Sequence, residues 1–503
     1  MRQWLDRVTG HFTMYRTVTL LLLAITVAAF LLSLLGDQYL YYRPLELLAG
    51  LLVAVGVTVL SSYLFARVFR ARAHPESALI TGLLIFIVLL PTTEPLELLY
   101  IAIAAVVASA SKYLLAWRGR HIFNPAAIGA VAVTATGLTS SGWWVANPYL
   151  LPLVALGAFI VLYRTRRLEM GALFIAIALA VYAIRWVAFG DSPIDGIRIA
   201  LTSVPVIFFA GFMLSEPLTM PPLKKQQLGY AVVIALLFSI SFQLGPVFST
   251  PQLALVVGNL IAFFFGQRSG IRLFLVEKKQ LTPTTWEFAF TPSRPVRFTP
   301  GQYMEVTVPH KKADLRGLRR VFSISSAPGE DAVITFALKI TDRVSSFKRA
   351  LLALEPGSAV RGTLVAGDFV LPTSLETPIL LVAGGIGITP FASQLAHDHR
   401  RGLTRDVVVA YAVSDPAELA YSDLLMTSGA RVIVAAPAQP ATLPKGWVYA
   451  GPRLTGEVLS EHVPDLASRR VFISGPPALV NSLRVTLRAL GAKRVTTDYF
   501  SGY

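Results

Sequence analysis

Long apolar runs fill the first half of the chain, without the polar stripe that a helix lying on a soluble protein's surface would carry. Ten can be delimited, at about 17–36, 46–65, 77–91, 97–116, 122–140, 149–164, 169–188, 197–215, 227–246 and 251–267. Runs near 20 residues suffice to cross a bilayer as helices, so the pattern predicts a multi-pass α-helical membrane domain of ten spans over 1–267. The first run follows a basic stretch with no small-residue cleavage site, which argues against a removable signal peptide. Past about 268 the period changes. Tyr303-Met304-Glu305-Val306-Thr307-Val308 alternates as a half-buried strand does, and after 376 apolar strand, Gly turn and helix recur. A small β-barrel over 268–375 followed by a parallel α/β domain over 376–503 is expected.

The two parts of the apolar half echo each other. Thr81 precedes Glu94-Pro95-Leu96, with Phe123-Asn124-Pro125 beyond; Thr202 precedes Glu216-Pro217-Leu218, with Phe248-Ser249-Thr250-Pro251 beyond. Five spans in each part is an odd number, so a duplication would invert the second copy. Inverted repeats place binding sites near the midplane, between interrupted helices.

Composition narrows the chemistry. Charged residues make up 15% of the 503 and hydrophobic residues 54%, against roughly 25% charged in an ordinary soluble domain. The chain has no cysteine, which excludes disulfides, thiolate zinc and cysteine-held iron–sulfur clusters within it. Only His121 of the seven histidines lies at a span, so paired span histidines for stacked b-type haems are lacking. A net charge of +16 would suggest nucleic acid for a soluble protein. Here the basic residues gather in alternate connections: Arg67, Arg70 and Arg72; Arg118 and Arg120; Arg164, Arg166 and Arg167; Lys224 and Lys225; Arg268 and Arg272. The opposite connections hold few basic residues, chiefly Arg43, Arg185 and Arg198, alongside Asp37, Glu94, Glu97, Asp191 and Asp195. The lipid bilayer of the cell membrane is therefore the expected partner, not nucleic acid, with both termini and the C-terminal domains cytoplasmic.

In the C-terminal half, Phe298-Thr299-Pro300-Gly301-Gln302-Tyr303 is followed by Arg320-Val321-Phe322-Ser323. Together they resemble the ferredoxin–NADP⁺ reductase superfamily. The resemblance implies that Arg320 pairs with the FAD pyrophosphate, a contact suited to guanidinium, that Phe322 stacks on the isoalloxazine, and that the Ser323 hydroxyl reaches the flavin. Phe322 stands where the family has Tyr. Arg343-Val344-Ser345-Ser346 resembles the family's second FAD-phosphate element, with Asp342 in place of its leading Gly. Gly384-Gly385-Ile386-Gly387-Ile388-Thr389-Pro390 follows the apolar strand Ile379–Ala383 directly, a context in which glycines admit a pyrophosphate to a helix N-terminus. The family uses that turn for the nicotinamide cofactor. Ser474-Gly475-Pro476-Pro477 corresponds to the family's Cys-Gly-Pro, so Ser474 is implied beside the hydride path. Phe500 and Tyr503 are candidates for the C-terminal aromatic that covers the flavin. Ser414 and Asp415 follow the strand Val407–Tyr411, and a carboxylate there opposes a 2′-phosphate, which favours NADH over NADPH.

In the apolar half, Gly119-Arg120-His121-Ile122-Phe123-Asn124-Pro125-Ala126-Ala127 and Met213-Leu214-Ser215-Glu216-Pro217-Leu218-Thr219 resemble the D subunit of the Rnf complex and the B subunit of the Na⁺-translocating NADH:quinone reductase. That likeness implies a ten-helix inverted repeat holding a flavin such as FMN, with Phe123, Asn124, Pro125, Glu216 and Pro217 near it. The family's flavin-attachment element is broken here, since Thr202 in Asp195-Gly196-Ile197-Arg198-Ile199-Ala200-Leu201-Thr202 lies one residue late. The membrane flavin is therefore expected to be non-covalent. The combined expectation is an NAD(P)H dehydrogenase. It passes electrons through FAD to membrane flavin and on to a quinone or an extracytoplasmic flavoprotein. Quinone reduction coupled to ion movement, and a carrier with a fused regulatory reductase, are the alternatives.

Overall fold

The computed structural model describes residues 13–499, except 70–73, 118–119, 246, 266–269, 312–313, 315–317, 330–332 and 342–343. It divides into a helical unit up to Ser269 and a mixed α/β unit from Gly270, and each is described by itself.

The helical unit runs α1 (Met14–Leu35), α2 (Pro44–Val68), α3 (Pro75–Val88), α4 (Pro95–Leu114), a hairpin of β1 (Ala116–Trp117) and β2 (Arg120–His121), then α5 (Pro125–Thr134). Its second part runs α6 (Leu151–Arg164), α7 (Leu168–Ala188), α8 (Pro193–Thr202), and α9, which begins at Val206–Phe208 and continues as a π-helix over Phe209–Met213. Next come α10 (Lys224–Ser239), a hairpin of β3 (Gln243–Leu244) and β4 (Val247–Phe248), and α11 (Pro251–Phe264). Both parts thus close on helix, two-residue hairpin and short helix. The short helices start alike: Pro125 and Pro251 take the first position, and the Asn124 and Thr250 side chains accept from the backbone N–H three residues on. Proline loses nothing there, because that N–H has no partner inside the helix.

Close packing in this unit rests on small residues, as expected where water supplies no driving force between helices. A Cβ on Gly129 of α5 would lie 2.4 Å from the Ala104 carbonyl of α4, and one on Gly211 would lie 2.4 Å from Ala158. Ser109 joins α4 to α2 through Ser61 Oγ at 2.8 Å and the Thr58 carbonyl at 3.2 Å.

The count of ten spans is not what the helix lengths give. Among the described residues α1, α2, α4 and α7 are long and apolar enough to cross a membrane, and α8 with α9, bent by 58°, makes a fifth if taken as one span. The runs at 77–91, 122–140, 149–164 and 251–267 become helices of 10 to 14 residues. At 1.5 Å per residue these reach only about 15–21 Å, against an apolar core of about 30 Å.

The mixed unit begins with an antiparallel sheet: β5 (Ile271–Gln280), β6 (Thr285–Pro292), β7 (Tyr303–Thr307), β8 (Arg319–Ser323), β9 (Ile334–Lys339) and β10 (Ala359–Ala366), in the order β8-β7-β10-β5-β6-β9. The two edge strands meet where Ser325 N–H, just past β8, donates to the Thr335 carbonyl of β9 at 2.9 Å, which curls the sheet toward a barrel. Leu273, Leu275, Phe288, Phe290, Met304 and Phe336 fill it. A short helix, α12 (Ser346–Leu352), follows β9.

A second sheet is parallel throughout: β11 (Ile379–Gly384), β12 (Val407–Ala412), β13 (Arg431–Ala435), β14 (Val448–Tyr449), β15 (Arg470–Gly475) and β16 (Val495–Tyr499), ordered β14-β13-β12-β11-β15-β16. Its helices are α13 (Thr389–Arg400), α14 (Ser422–Thr427), α15 (Gly456–His462) and α16 (Pro477–Ala489). Successive β11 residues serve opposite faces. Ile379, Leu381 and Ala383 pack with Phe391 and Leu395, whereas Leu380 and Val382 pack with Val480, Leu483 and Leu487. That two-sided burial explains why the strand reads as an unbroken apolar run.

Candidate functional site

The order of the parallel sheet locates a crevice before any side chain is considered. β11 comes first in the chain yet sits between β12 and β15, so connections leave it in both directions, and ligands of open α/β sheets bind beyond the carboxyl ends at such a point. Gly384 and Gly475 end those two strands side by side: a Cβ on Gly475 would lie 3.0 Å from Gly384 backbone atoms. The turn Gly385–Ile388 is 3₁₀ and leads straight into α13 with Pro390 in its first turn. A Cβ on Gly387 would lie 2.3 Å from the Ser474 carbonyl oxygen, so only glycine fits. Gly385 has φ +53° and open space on its Cβ side, leaving room for a ligand against the backbone. Thr389 Oγ1 donates to the Ile386 carbonyl at 3.0 Å and braces the turn. Ser474 is fully buried, and its Oγ has no hydrogen-bond partner. Such a hydroxyl is costly unless a ligand satisfies it.

On the antiparallel sheet, Arg320, Phe322 and Ser323 fall on β8 as the sequence places them. Arg320 is 7% exposed; its Nη1 donates to the Arg319 carbonyl at 2.7 Å, and its guanidinium lies 5.1 Å from the Phe347 ring centroid. Phe322 packs between Phe336 and Phe347, at 6.0 and 5.8 Å. Ser345 caps α12 by accepting from Lys348 N–H. Asp314, which no motif marks, joins this group. Its Oδ1 lies 3.6 Å from Arg320 Nη2, its Oδ2 accepts from Ser346 N–H at 3.1 Å, and its own N–H donates to Ser346 Oγ at 2.9 Å. One carboxylate thus bridges the arginine and the serine pair that the resemblance assigns to FAD phosphates. The donor set is one that holds an anion, and it fits the group. Arg343, Phe500 and Tyr503 lie outside the described residues.

The nucleotide side grips the barrel through a loop after β12. Glu418, 7% exposed, accepts from Thr282 Oγ1 (2.8 Å), Thr284 Oγ1 (2.8 Å), Thr284 N–H (2.9 Å) and Thr285 Oγ1 (3.3 Å). Burial alone would raise its pKa, but the Thr282 and Thr284 donors outweigh that and hold the carboxyl below its ordinary value. Tyr421 OH donates to Glu287 Oε1 at 2.7 Å, and burial followed by the Glu287 charge pushes this phenol well above its usual range. Asp415 is spent on capping, accepting from Ala417 N–H at 2.9 Å, while Lys339 Nζ donates to Ser414 Oγ at 3.3 Å. The residue before Asp415 thus receives a cation from β9, a contact that the sequence does not reveal.

In the helical unit the structure brings the Phe-Asn-Pro and Ser-Glu-Pro motifs together. Asn124 Nδ2 donates to Glu216 Oε2 at 2.8 Å, Thr219 Oγ1 reaches the same oxygen at 3.3 Å, and His121 Nε2 lies 3.2 Å from Glu216 Oε1. Asn124 N–H donates to Asn259 Oδ1 at 2.8 Å, and Asn259 Nδ2 donates to the Thr219 carbonyl and to Tyr230 OH at 3.2 and 2.9 Å. Phe123 and Pro125 flank Asn124, and Pro217 follows Glu216. These polar groups satisfy one another across four elements, which is a lock and not an open cradle. Thr202 is not among them: it ends α8, before the bend into α9, and its Oγ1 donates to the Arg198 carbonyl at 2.8 Å. A small cavity opens between 145–154 and 201–208. None of the residues assigned to a membrane flavin lines it, and as they stand they do not fit that group.

Known proteins resemble the mixed unit. A family model described as "Oxidoreductase NAD-binding domain" matches residues 381–484. The NADH oxidoreductase HCR of Escherichia coli (strain K12) is 28% identical over 221 residues, 44% of this chain and 65% of that protein. An NADPH oxidoreductase of Mycobacterium tuberculosis (strain ATCC 25618 / H37Rv) is 27% identical over 211 residues, 41% of this chain and 51% of that protein. The toluate 1,2-dioxygenase electron transfer component of Pseudomonas putida is 27% identical over 247 residues, 46% of this chain and 68% of its own length. The chain thus spans between about half and two thirds of the first two relatives. Residues 381–484 thus match an NAD-binding domain of oxidoreductases, and the C-terminal half is similar to NADH and NADPH oxidoreductases.

Proposed function

We propose that the chain is a membrane-bound NAD(P)H dehydrogenase in which the mixed unit, 268–375 for FAD and 376–503 for the nicotinamide nucleotide, delivers electrons to an acceptor in or beyond the bilayer. The observation that carries this reading is the pairing of an anion cradle at Arg320 and Ser346 with a glycine turn and an orphan Ser474 hydroxyl at the switch point. FAD, when bound, accepts a hydride and releases single electrons. Arg320 neutralises a phosphate, and Phe322 offers an aromatic face. Gly384, Gly385 and Gly387 let a second pyrophosphate approach the start of α13, and Ser474 Oγ retains a donor and an acceptor for the nicotinamide side. The apolar helices support anchorage in the cell membrane, with the mixed unit cytoplasmic by the positive-inside count. A second flavin in the helical unit is supported by motif resemblance alone. Similarity to a protein named as the electron transfer component of toluate 1,2-dioxygenase supports transfer to a further acceptor.

Reconstitution tests this. The full chain in vesicles, with NADH or NADPH outside and either ferricyanide sealed inside or a quinone in the bilayer, should reduce one of them. Oxidation of nucleotide that proceeds only with acceptors added outside would contradict delivery into or across the membrane.

A further inference from the structure

Hydride transfer needs the two reacting atoms, a nicotinamide carbon and a flavin nitrogen, held about 3–3.5 Å apart, so something must fix the nucleotide-binding sheet against the flavin-binding one. The loop 415–421, which follows the carboxyl end of β12, makes that contact in both directions. Glu418 projects to the β5–β6 turn and is held there by three threonines. Glu287, on β6, projects back and receives Tyr421 OH. The second half of the clasp continues toward the flavin strand. Ser325 Oγ donates to the same Glu287 Oε1 at 3.2 Å, and pairs with Thr335 Oγ1 at 2.6 Å. Ser325 lies two residues beyond Ser323, the end of β8. Its neighbour Ser326 is held from the nucleotide side as well: Ser393 Oγ, on α13, donates to the Ser326 carbonyl at 2.6 Å.

Tyr421 makes its bond from an unfavourable backbone. Its φ is +61°, the left-handed region that bulky residues avoid. A Gly or Asn would suit that backbone better, but neither has a phenol to extend to Glu287. Backbone strain kept at a contact between two cofactor-binding sheets points to use of the side chain itself. The raised phenol pKa keeps the hydroxyl protonated, so it donates throughout the neutral range.

We propose that Tyr421 and Glu287 are positioning residues, a single hydrogen-bonded clasp that sets the distance between the nicotinamide nucleotide and the flavin strand without touching either cofactor. The proposal rests on the dehydrogenase reading. Glu418 is the anchor of the same loop, and Tyr421 is its fine adjustment.

The test uses the full chain in detergent, with anaerobic stopped-flow reduction of its FAD by NADH or by 4-deuterated NADH. Tyr421→Phe and Glu287→Leu should each keep FAD and half-saturate at a similar nucleotide concentration, yet slow flavin reduction about tenfold, well inside the 10²-fold cost of a 1 Å misplacement. The isotope effect should grow as the transfer distance lengthens. The double variant should be no slower than Glu287→Leu alone, because the Tyr421 bond is already absent once Glu287 is replaced. Glu287→Gln, which keeps an acceptor oxygen, should restore most of the rate. If Glu287→Leu does not fold, Tyr421→Phe and Glu287→Gln decide. Wild-type rates in Tyr421→Phe, multiplicative effects in the double variant, or slowing that follows only lost FAD would each overturn the clasp. A wild-type flavin that neither NADH nor NADPH reduces would instead remove the dehydrogenase reading beneath it.

Discussion

Replacing Arg320 and Asp314 separately should move FAD affinity in opposite directions. Arg320 is 7% exposed and Asp314 33%, with 3.6 Å between their charged atoms. Arg320→Ala removes one charge-assisted contact to a phosphate, worth roughly 1.5–3 kcal/mol. At 1.4 kcal/mol per decade that weakens FAD binding by about 10- to 150-fold. Asp314 acts the other way, since its carboxylate occupies the Arg320 guanidinium and the Ser346 N–H that would hold a phosphate. The pair is partly solvated, so its attraction is worth at most about 1 kcal/mol. Asp314→Asn should therefore tighten FAD by up to about fivefold. The assay is fluorescence titration of deflavinated full-length protein with FAD at two salt concentrations, and Arg320→Ala should also show the weaker salt dependence. An Arg320→Ala protein with wild-type affinity would refute the cradle. An Asp314→Asn protein that binds FAD more weakly would show that the carboxylate supports the site.

Gly387→Ala should abolish nucleotide-driven flavin reduction while sparing FAD content, because the new Cβ would sit 2.3 Å from the Ser474 carbonyl oxygen; reduction by dithionite provides the control. Glu418 has a folded pKa below its ordinary 4.5, so its stabilisation is complete above that value and disappears as pH falls through the depressed one. The temperature at which FAD is released should accordingly drop on the acid side in wild type, and Glu418→Gln should lower it at pH 7 and flatten that acid limb. In the helical unit, Asn124→Ala takes the Nδ2 donor from Glu216 Oε2 and the capping oxygen from Ala127 N–H, and should cost about 1–3 kcal/mol. Glu216→Gln combined with it should cost less than the sum, as read by thermal unfolding in detergent.

Local chemistry was legible in the sequence, and distance was not. The strand Ile379–Ala383, its glycine turn and the helix behind it were readable because strand, turn and cap occupy consecutive residues. The helix α5 is shorter than its apolar run for a physical reason. An apolar run records solubility in lipid, not backbone conformation, and the run at 122–140 continues for six residues past the end of α5 at Thr134. Asn124 and Glu216 were both singled out, yet the bond between them spans 92 residues of chain. Their saturation by His121, Thr219 and Asn259 is what removes them as an open flavin site. Tyr421 and Glu287 carry no motif, and Asp314 is an ordinary loop acid until the fold sets it against Arg320 and Ser346.

The measurement that bears most directly on the account is the absorption spectrum of the purified full-length protein, before and after anaerobic NADH or NADPH, with flavin counted per chain. The account predicts a flavin spectrum with at least one FAD per chain, bleached by nucleotide, and without a Soret band. Protein that purifies folded but without flavin, or that carries a Soret band shifting on reduction, would contradict it.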